Sequence, residues 1–132
     1  MFLVRDRSKK EMSSGSFGDR VLMSIAGTPV TFAEMRDRSC AAANVLAALG
    51  VNRGETVALF TTCPEWVYFW LGAARIGAVP AAVNAASKGD FLFHALRLSQ
   101  TAVVVTDAQR NARLAEVADR VDTLRSVLVQ GD

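Results

Sequence analysis

Gly72 and Gly77 stand at the Gly-x4-Gly spacing of a loop that cradles phosphate groups with backbone N–H donors. Such a loop needs Lys and then Ser or Thr after its second glycine, the lysine for the β- and γ-phosphates and the hydroxyl for a metal ion. Ala78 and Val79 fill those places, so no charge is at hand for a phosphate. SSGSFGD, Ser13 to Asp19, offers hydroxyls and glycines, but Asp19 would repel an anion and the stretch reads as a linker. His94 is the only histidine, which excludes mechanisms that need two and favours a packing or surface role. Lys88, beside Asp90 in a strand-to-helix connection, could touch an anion there; a solvated lysine is the simpler reading. Cys40 and Cys63 match neither a metal nor a redox spacing and read as buried free thiols. No serine-centred elbow, paired carboxylates or metal-ligand cluster is found, so the expected catalytic, cofactor-binding and metal-binding residues are none.

The elements that would position any chemistry are easier to read. Val21 to Ile25 and Pro29 to Thr31 flank Ala26-Gly27-Thr28, a small hairpin signal. Thr31 and Glu34 form a capping box that opens a helix with Phe32, Met35, Ala42, Val45, Leu46 and Leu49 inward, and Gly50 ends it. TVALF, Thr56 to Phe60, is a buried strand. Thr62-Cys63-Pro64-Glu65 repeats the capping box and starts a helix from Glu65 to Ile76 that is apolar on nearly every side, hence expected to be buried all round. Its Trp66, Tyr68, Phe69 and Trp70 could line a pocket for an acyl chain, but neighbouring helical positions point in different directions, which favours core. Val79 to Val83 reads as a strand. Ser87 and Asp90 cap a helix with Phe91, Leu92, Ala95, Leu96 and Leu98 inward. Ala102 to Thr106 is a strand, Ala108 to Val121 an amphipathic helix, and Leu124 to Val129 a last strand.

The order after the hairpin is α-β-α-β-α-β-α-β. Strands written as continuous apolar runs between helices imply α/β architecture: a parallel, doubly wound sheet covered on both faces, preceded by a small β-hairpin. The apolar run from Thr61 to Asn84 is not a membrane span, since Arg75 breaks it and Gly77 with Pro80 would end a helix within the bilayer. With 132 residues, 51% of them hydrophobic, the chain can bury a sizeable core. A net charge of +2 gives no nucleic-acid footprint. MFLVRDRSKK places its charges after its apolar residues, the reverse of a signal peptide, so the expected location is cytoplasmic. Residues 1–16, charged and then Ser/Gly-rich, are expected to be a flexible tail before a folded region of residues 17–132.

The order of short motifs resembles the opening of AMP-forming acyl-CoA synthetases, the adenylate-forming enzymes. The matches are Gly18-Asp19-Arg20, Thr31 with Glu34, Gly50-Val51 with Gly54-Glu55, Cys63-Pro64-Glu65, and Gly77-Ala78-Val79 with Asn84. LRLSQTAVVVTDAQ and LRSVLV continue the likeness, which runs from about Phe17 to Val129 and looks closest to fatty-acid, carnitine or crotonobetaine CoA ligases. The resemblance implies a partial N-terminal subdomain of a two-step ligase. In the family, ATP and a carboxylic acid give an acyl-adenylate and pyrophosphate, and coenzyme A then takes the acyl group. ATP, Mg2+ and CoA are the family's cofactors, but its phosphate loop and catalytic lysine have no matching positions here. The expectation is therefore a truncated piece of a ligase, or half of a split one, inactive alone and binding none of these cofactors. Its expected partner is the complementary part of a synthetase, or a second copy met through exposed apolar surface. A free-standing α/β module for a nucleotide or small ligand, and an interaction subunit of a split ligase, remain alternatives.

Overall fold

A computed structural model describes residues 17–131; the expected tail, residues 1–16, lies outside them. The chain divides into two compact units at Arg38/Ser39. In the first, β1 (Val21–Ile25) and β2 (Thr28–Thr31) pair antiparallel, with Ile25 opposite Thr28. The turn is two residues long, Ala26 and Gly27, both at positive φ (51° and 84°). That is the primed turn whose twist suits a tight hairpin. Glu34 Oε1 accepts from the Thr31 N–H at 3.0 Å and Thr31 Oγ1 from the Glu34 N–H at 3.1 Å, so the first capping box forms reciprocally. It opens α1 (Phe32–Ala48), whose Phe32 ring stacks on Phe17 with centroids 4.7 Å apart.

The second unit is a parallel four-stranded sheet in the order β4-β3-β5-β6. Its strands are β3 (Thr56–Phe60), β4 (Val79–Ala82), β5 (Thr101–Asp107) and β6 (Ser126–Gln130). The crossover helices are α2 (Trp66–Arg75), α3 (Gly89–Leu98) and α4 (Ala108–Ala118). The period-2 alternation of the strands splits the core into two layers. Val57, Leu59, Val103 and Val105 pack on one face with Leu46 and Ala73 from α1 and α2. Ala58, Phe60 and Val104 pack on the other with Leu92 and Leu96 of α3 and Leu114 and Val117 of α4. The sheet is therefore covered on both faces, and all seven residues of β5 are buried. Burying each of these Val, Leu and Phe side chains is worth about 1.5–3 kcal/mol.

The structure departs from the sequence reading in several places. α2 is not buried all round: Trp66 and Trp70 are 38% and 36% exposed and meet edge to face at 5.9 Å, while Tyr68, Gly72 and Ala73 are buried. On α1, Val45 faces outward and Ser39 and Ala43 take the inner positions. Arg75 does not simply reach into solvent, because its Nε donates to the buried Ser39 Oγ at 2.9 Å. On α3, Leu92 and Leu96 are inward, whereas Phe91 (83%) and Leu98 (80%) are exposed. The N-cap there is Lys88, with no side-chain cap from Ser87 or Asp90. The second capping box does not form, since α2 begins after Glu65 without a side-chain cap. Cys40 and Cys63 are half-buried rather than fully buried.

Candidate functional site at the carboxyl edge of the sheet

In sheet order β4-β3-β5-β6 the winding reverses after β4, so the switch point lies between β3 and β5. The crevice outside the carboxyl ends of such a pair is where open α/β sheets usually take ligands. Here Phe60, the last residue of β3, stands opposite Thr106 of β5, and Thr61, Thr62 and Asp107 follow them. Asp107 is both the end of β5 and the N-cap of α4, accepting the Arg110 N–H at 3.0 Å. Its other oxygen accepts from Thr61 Oγ1 (2.8 Å), the Thr62 N–H (3.2 Å) and Arg110 Nη1 (2.9 Å). Four donors therefore converge on this carboxylate, one on Oδ1 and three on Oδ2.

Arg110 completes the crevice. One turn into α4, its side chain is only 12% exposed, against 9% for Asp107. Nη1 also donates to Thr62 Oγ1 at 3.1 Å, and Nε donates to the Ala85 carbonyl at 3.0 Å. Arg113, one turn on, donates Nη1 to the carbonyls of Ala85 and Ser87 at 3.1 and 3.4 Å. Burial alone pushes the Asp107 carboxyl up, but the donors from Thr61, Thr62 and Arg110 together outweigh it and hold the group below the ordinary 3.8. It is therefore ionised at neutral pH. The arrangement ties the connections after β3 and β4 to the start of α4.

The residues singled out in the sequence fall elsewhere. Gly72 is buried where α2 crosses α1, and a Cβ there would lie 2.8 Å from the Ala43 nitrogen. Gly77 ends α2 at φ +76°, and its carbonyl accepts the Gly54 N–H at 2.8 Å. Neither sits in a strand-to-helix connection, so their spacing is a packing and turn feature. The connection after β4 holds Asn84, Ser87 and Lys88, but the N–H groups of Ala86 and Ser87 turn back onto Asn84. They do not converge on an anion. Lys88 and His94 are exposed, the latter beside Phe93 at 5.8 Å. Among the described residues no group of three His, Cys, Asp or Glu side chains could hold a metal ion. A concavity of about 340 Å³ lies at the opposite, amino edge of the sheet, walled by Gln100, Thr123 and the Glu55–Arg125 ion pair. The switch-point argument does not apply at that edge.

Sequence reasoning missed Asp107 and Arg110. The available signal was an acidic residue ending a β-branched run and followed, three residues into a helix, by arginine.

The family model described as AMP-binding enzyme matches residues 11–132. A long-chain-fatty-acid–CoA ligase of Drosophila melanogaster, heimdall, is 35% identical over 103 residues, 76% of this chain and 15% of that protein. A crotonobetaine/carnitine–CoA ligase of Salmonella paratyphi B is 35% identical over 80 residues, 60% of this chain and 16% of that one. The chain thus spans about a sixth of the length of these relatives. An acyl-CoA synthetase structure from Brucella canis superposes on 85% of this chain and 21% of its own, with TM-score 0.73 and 31% identity. A fatty acyl CoA synthetase of Mycobacterium tuberculosis, at 23% identity and TM-score 0.79 over 93% of this chain and 26% of its own, shares the fold. The hairpin, the parallel sheet and the match over residues 11–132 agree: the chain belongs to the family of AMP-binding enzymes.

Proposed function

We propose that this chain is the opening α/β subdomain of an ATP-dependent acyl-CoA ligase, and that these residues alone do not catalyse acyl activation. The observation that carries the reading is the family match over residues 11–132, with relatives acting on fatty acids and on crotonobetaine or carnitine. In the complete reaction a carboxylate attacks the α-phosphorus of ATP, pyrophosphate leaves, and the thiol of CoA displaces AMP from the acyl-adenylate. ATP with Mg2+ would supply the adenylyl group that activates the carboxylate, and CoA the acceptor thiol. The described residues do not fit a triphosphate: an ionised carboxylate stands at the switch point, where it would repel phosphate, and the N–H groups of Ala86 and Ser87 after β4 turn back onto Asn84. The role left to this segment is scaffolding.

The partner in this reading is polypeptide carrying a Ser/Thr/Gly-rich loop and a lysine, and a reducing, cytoplasmic setting suits the free Cys40 and Cys63. Incubating the purified chain with ATP, Mg2+, CoA and a panel of fatty acids should release no AMP above a protein-free control. Stoichiometric or faster AMP release would reject the reading. A nucleotide-dependent rise in Tm in the same mixture would favour a free-standing binding module instead.

A further inference from the structure

We propose that Asp107 and Arg110 are positioning residues that hold the two carboxyl-edge connections, Thr61–Glu65 and Val83–Lys88, in one fixed arrangement. The inference rests on the ligase-segment reading in one respect: that this edge faces the chemistry of the assembled enzyme. The geometry is independent of it. Three crossovers start at this edge, after β3, after β4 and after β5, and the tied points are separated by 45 and 25 residues of chain. One buried ion pair joins all three. Asp107 grips Thr61 and Thr62, and Arg110 grips Asp107, Thr62 and the Ala85 carbonyl.

The position of the pair gives it meaning. It fills the β3/β5 switch-point crevice, the place where a doubly wound sheet would otherwise admit a ligand. A lysine would keep only part of this set, because its single ammonium nitrogen lacks the separated, planar Nε and Nη1 donors of the guanidinium. Thr61 Oγ1 passes the restraint onward by accepting the Cys63 N–H at 3.0 Å, and the Cys63 carbonyl accepts the Trp66 N–H at 3.0 Å. The start of α2 is therefore set by a carboxylate 44 residues away from Cys63 in sequence, a separation bridged at Thr61 and Thr62.

The two free thiols provide the test. Cys63 lies in the restrained connection and Cys40 on α1 serves as the internal reference. Rates of modification by a small aromatic disulfide, resolved by peptide mass, should be compared in the wild type, Asp107→Asn, Arg110→Lys and the milder Thr61→Val. The expected result is that Cys63 reacts about tenfold faster in Asp107→Asn, the loss of roughly one charge-assisted network bond, with Cys40 changed by less than about twofold. Arg110→Lys should lie between Asp107→Asn and wild type. Equal acceleration of both thiols, which general destabilisation would cause, overturns the proposal, and so does an unchanged Cys63. Should Asp107→Asn not fold, the same comparison on Thr61→Val decides. The readout needs no turnover, so AMP release by the chain would remove the ligase-segment reading without altering this result.

Discussion

Gly72 offers the sharpest energetic test, because its two readings predict opposite outcomes for Gly72→Ala. In an open helix the substitution gains about 1 kcal/mol, the difference in helix propensity. At this crossing the new Cβ would lie 2.8 Å from the Ala43 nitrogen, 2.9 Å from the Ala42 Cβ and 3.1 Å from the Ala42 carbonyl carbon. Carbon contacts are comfortable at about 3.5–4.0 Å, so α1 and α2 must part by roughly 0.5–1 Å. Two of the three obstructing atoms are main chain and the third is a Cβ, so no rotamer change relieves the clash. Overpacking of this kind costs about 1–3 kcal/mol, and here the upper end applies because contacts along the α1–α2 seam loosen together. After the propensity gain, the net loss is about 1–2 kcal/mol, a fall in Tm of roughly 4–8 °C. Thermal unfolding followed by far-UV circular dichroism measures it. Ala74→Gly, on the exposed side of the same helix, is the control and should lose only about 1 kcal/mol. A Gly72→Ala protein as stable as the wild type, or more so, would refute the packing account.

Two further outcomes follow from the same structure. Arg125 donates to both oxygens of Glu55 at 2.7 and 2.9 Å and the Asn52 N–H adds a third bond at 2.8 Å, taking the Glu55 carboxyl from 4.5 down to about 2. A depressed folded-state pKa gives stability that is present above the unfolded value and lost as pH falls through the folded one. The Tm of the wild type should therefore drop more steeply than that of Glu55→Gln between pH 4.5 and about 2, and parallel pH profiles would contradict the pairing. On α3, Leu96→Ala should cost about 2–5 kcal/mol and Leu98→Ala less than about 0.5 kcal/mol in urea unfolding. Comparable losses at both sites would mean that the exposed and buried faces of this helix are misassigned.

Much of this fold was legible because its signals are local. TVALF and AVVVT are β-branched apolar runs, and they became the two central strands with side chains alternating between the two core layers. What sequence reading misjudged were features decided at a distance. Thr31-x-x-Glu34 and Thr62-x-x-Glu65 are the same pattern, yet only the first closes as a capping box. The Thr62 hydroxyl accepts from Arg110 instead, 48 residues on. Phe91 and Leu98 fit a broad apolar stripe, but α3 buries only the narrower seam of Leu92 and Leu96 against β5 and α4. Asp107 and Arg110 carried an N-cap signal at most. Their convergence with Thr61 and Ala85 exists only once the sheet order β4-β3-β5-β6 is known. The motif likeness was distributed along the chain, and for that reason the family was readable while the crevice was not.

In the proposed reading, the described residues are a scaffold segment of an acyl-CoA ligase and do not themselves grip a triphosphate. Isotope exchange between labelled pyrophosphate and ATP, in the presence of Mg2+ and a fatty acid, probes adenylation without requiring CoA or product release. The account predicts exchange at the protein-free rate for the purified chain. Sustained, acid-dependent incorporation of label into ATP by this polypeptide alone would contradict it.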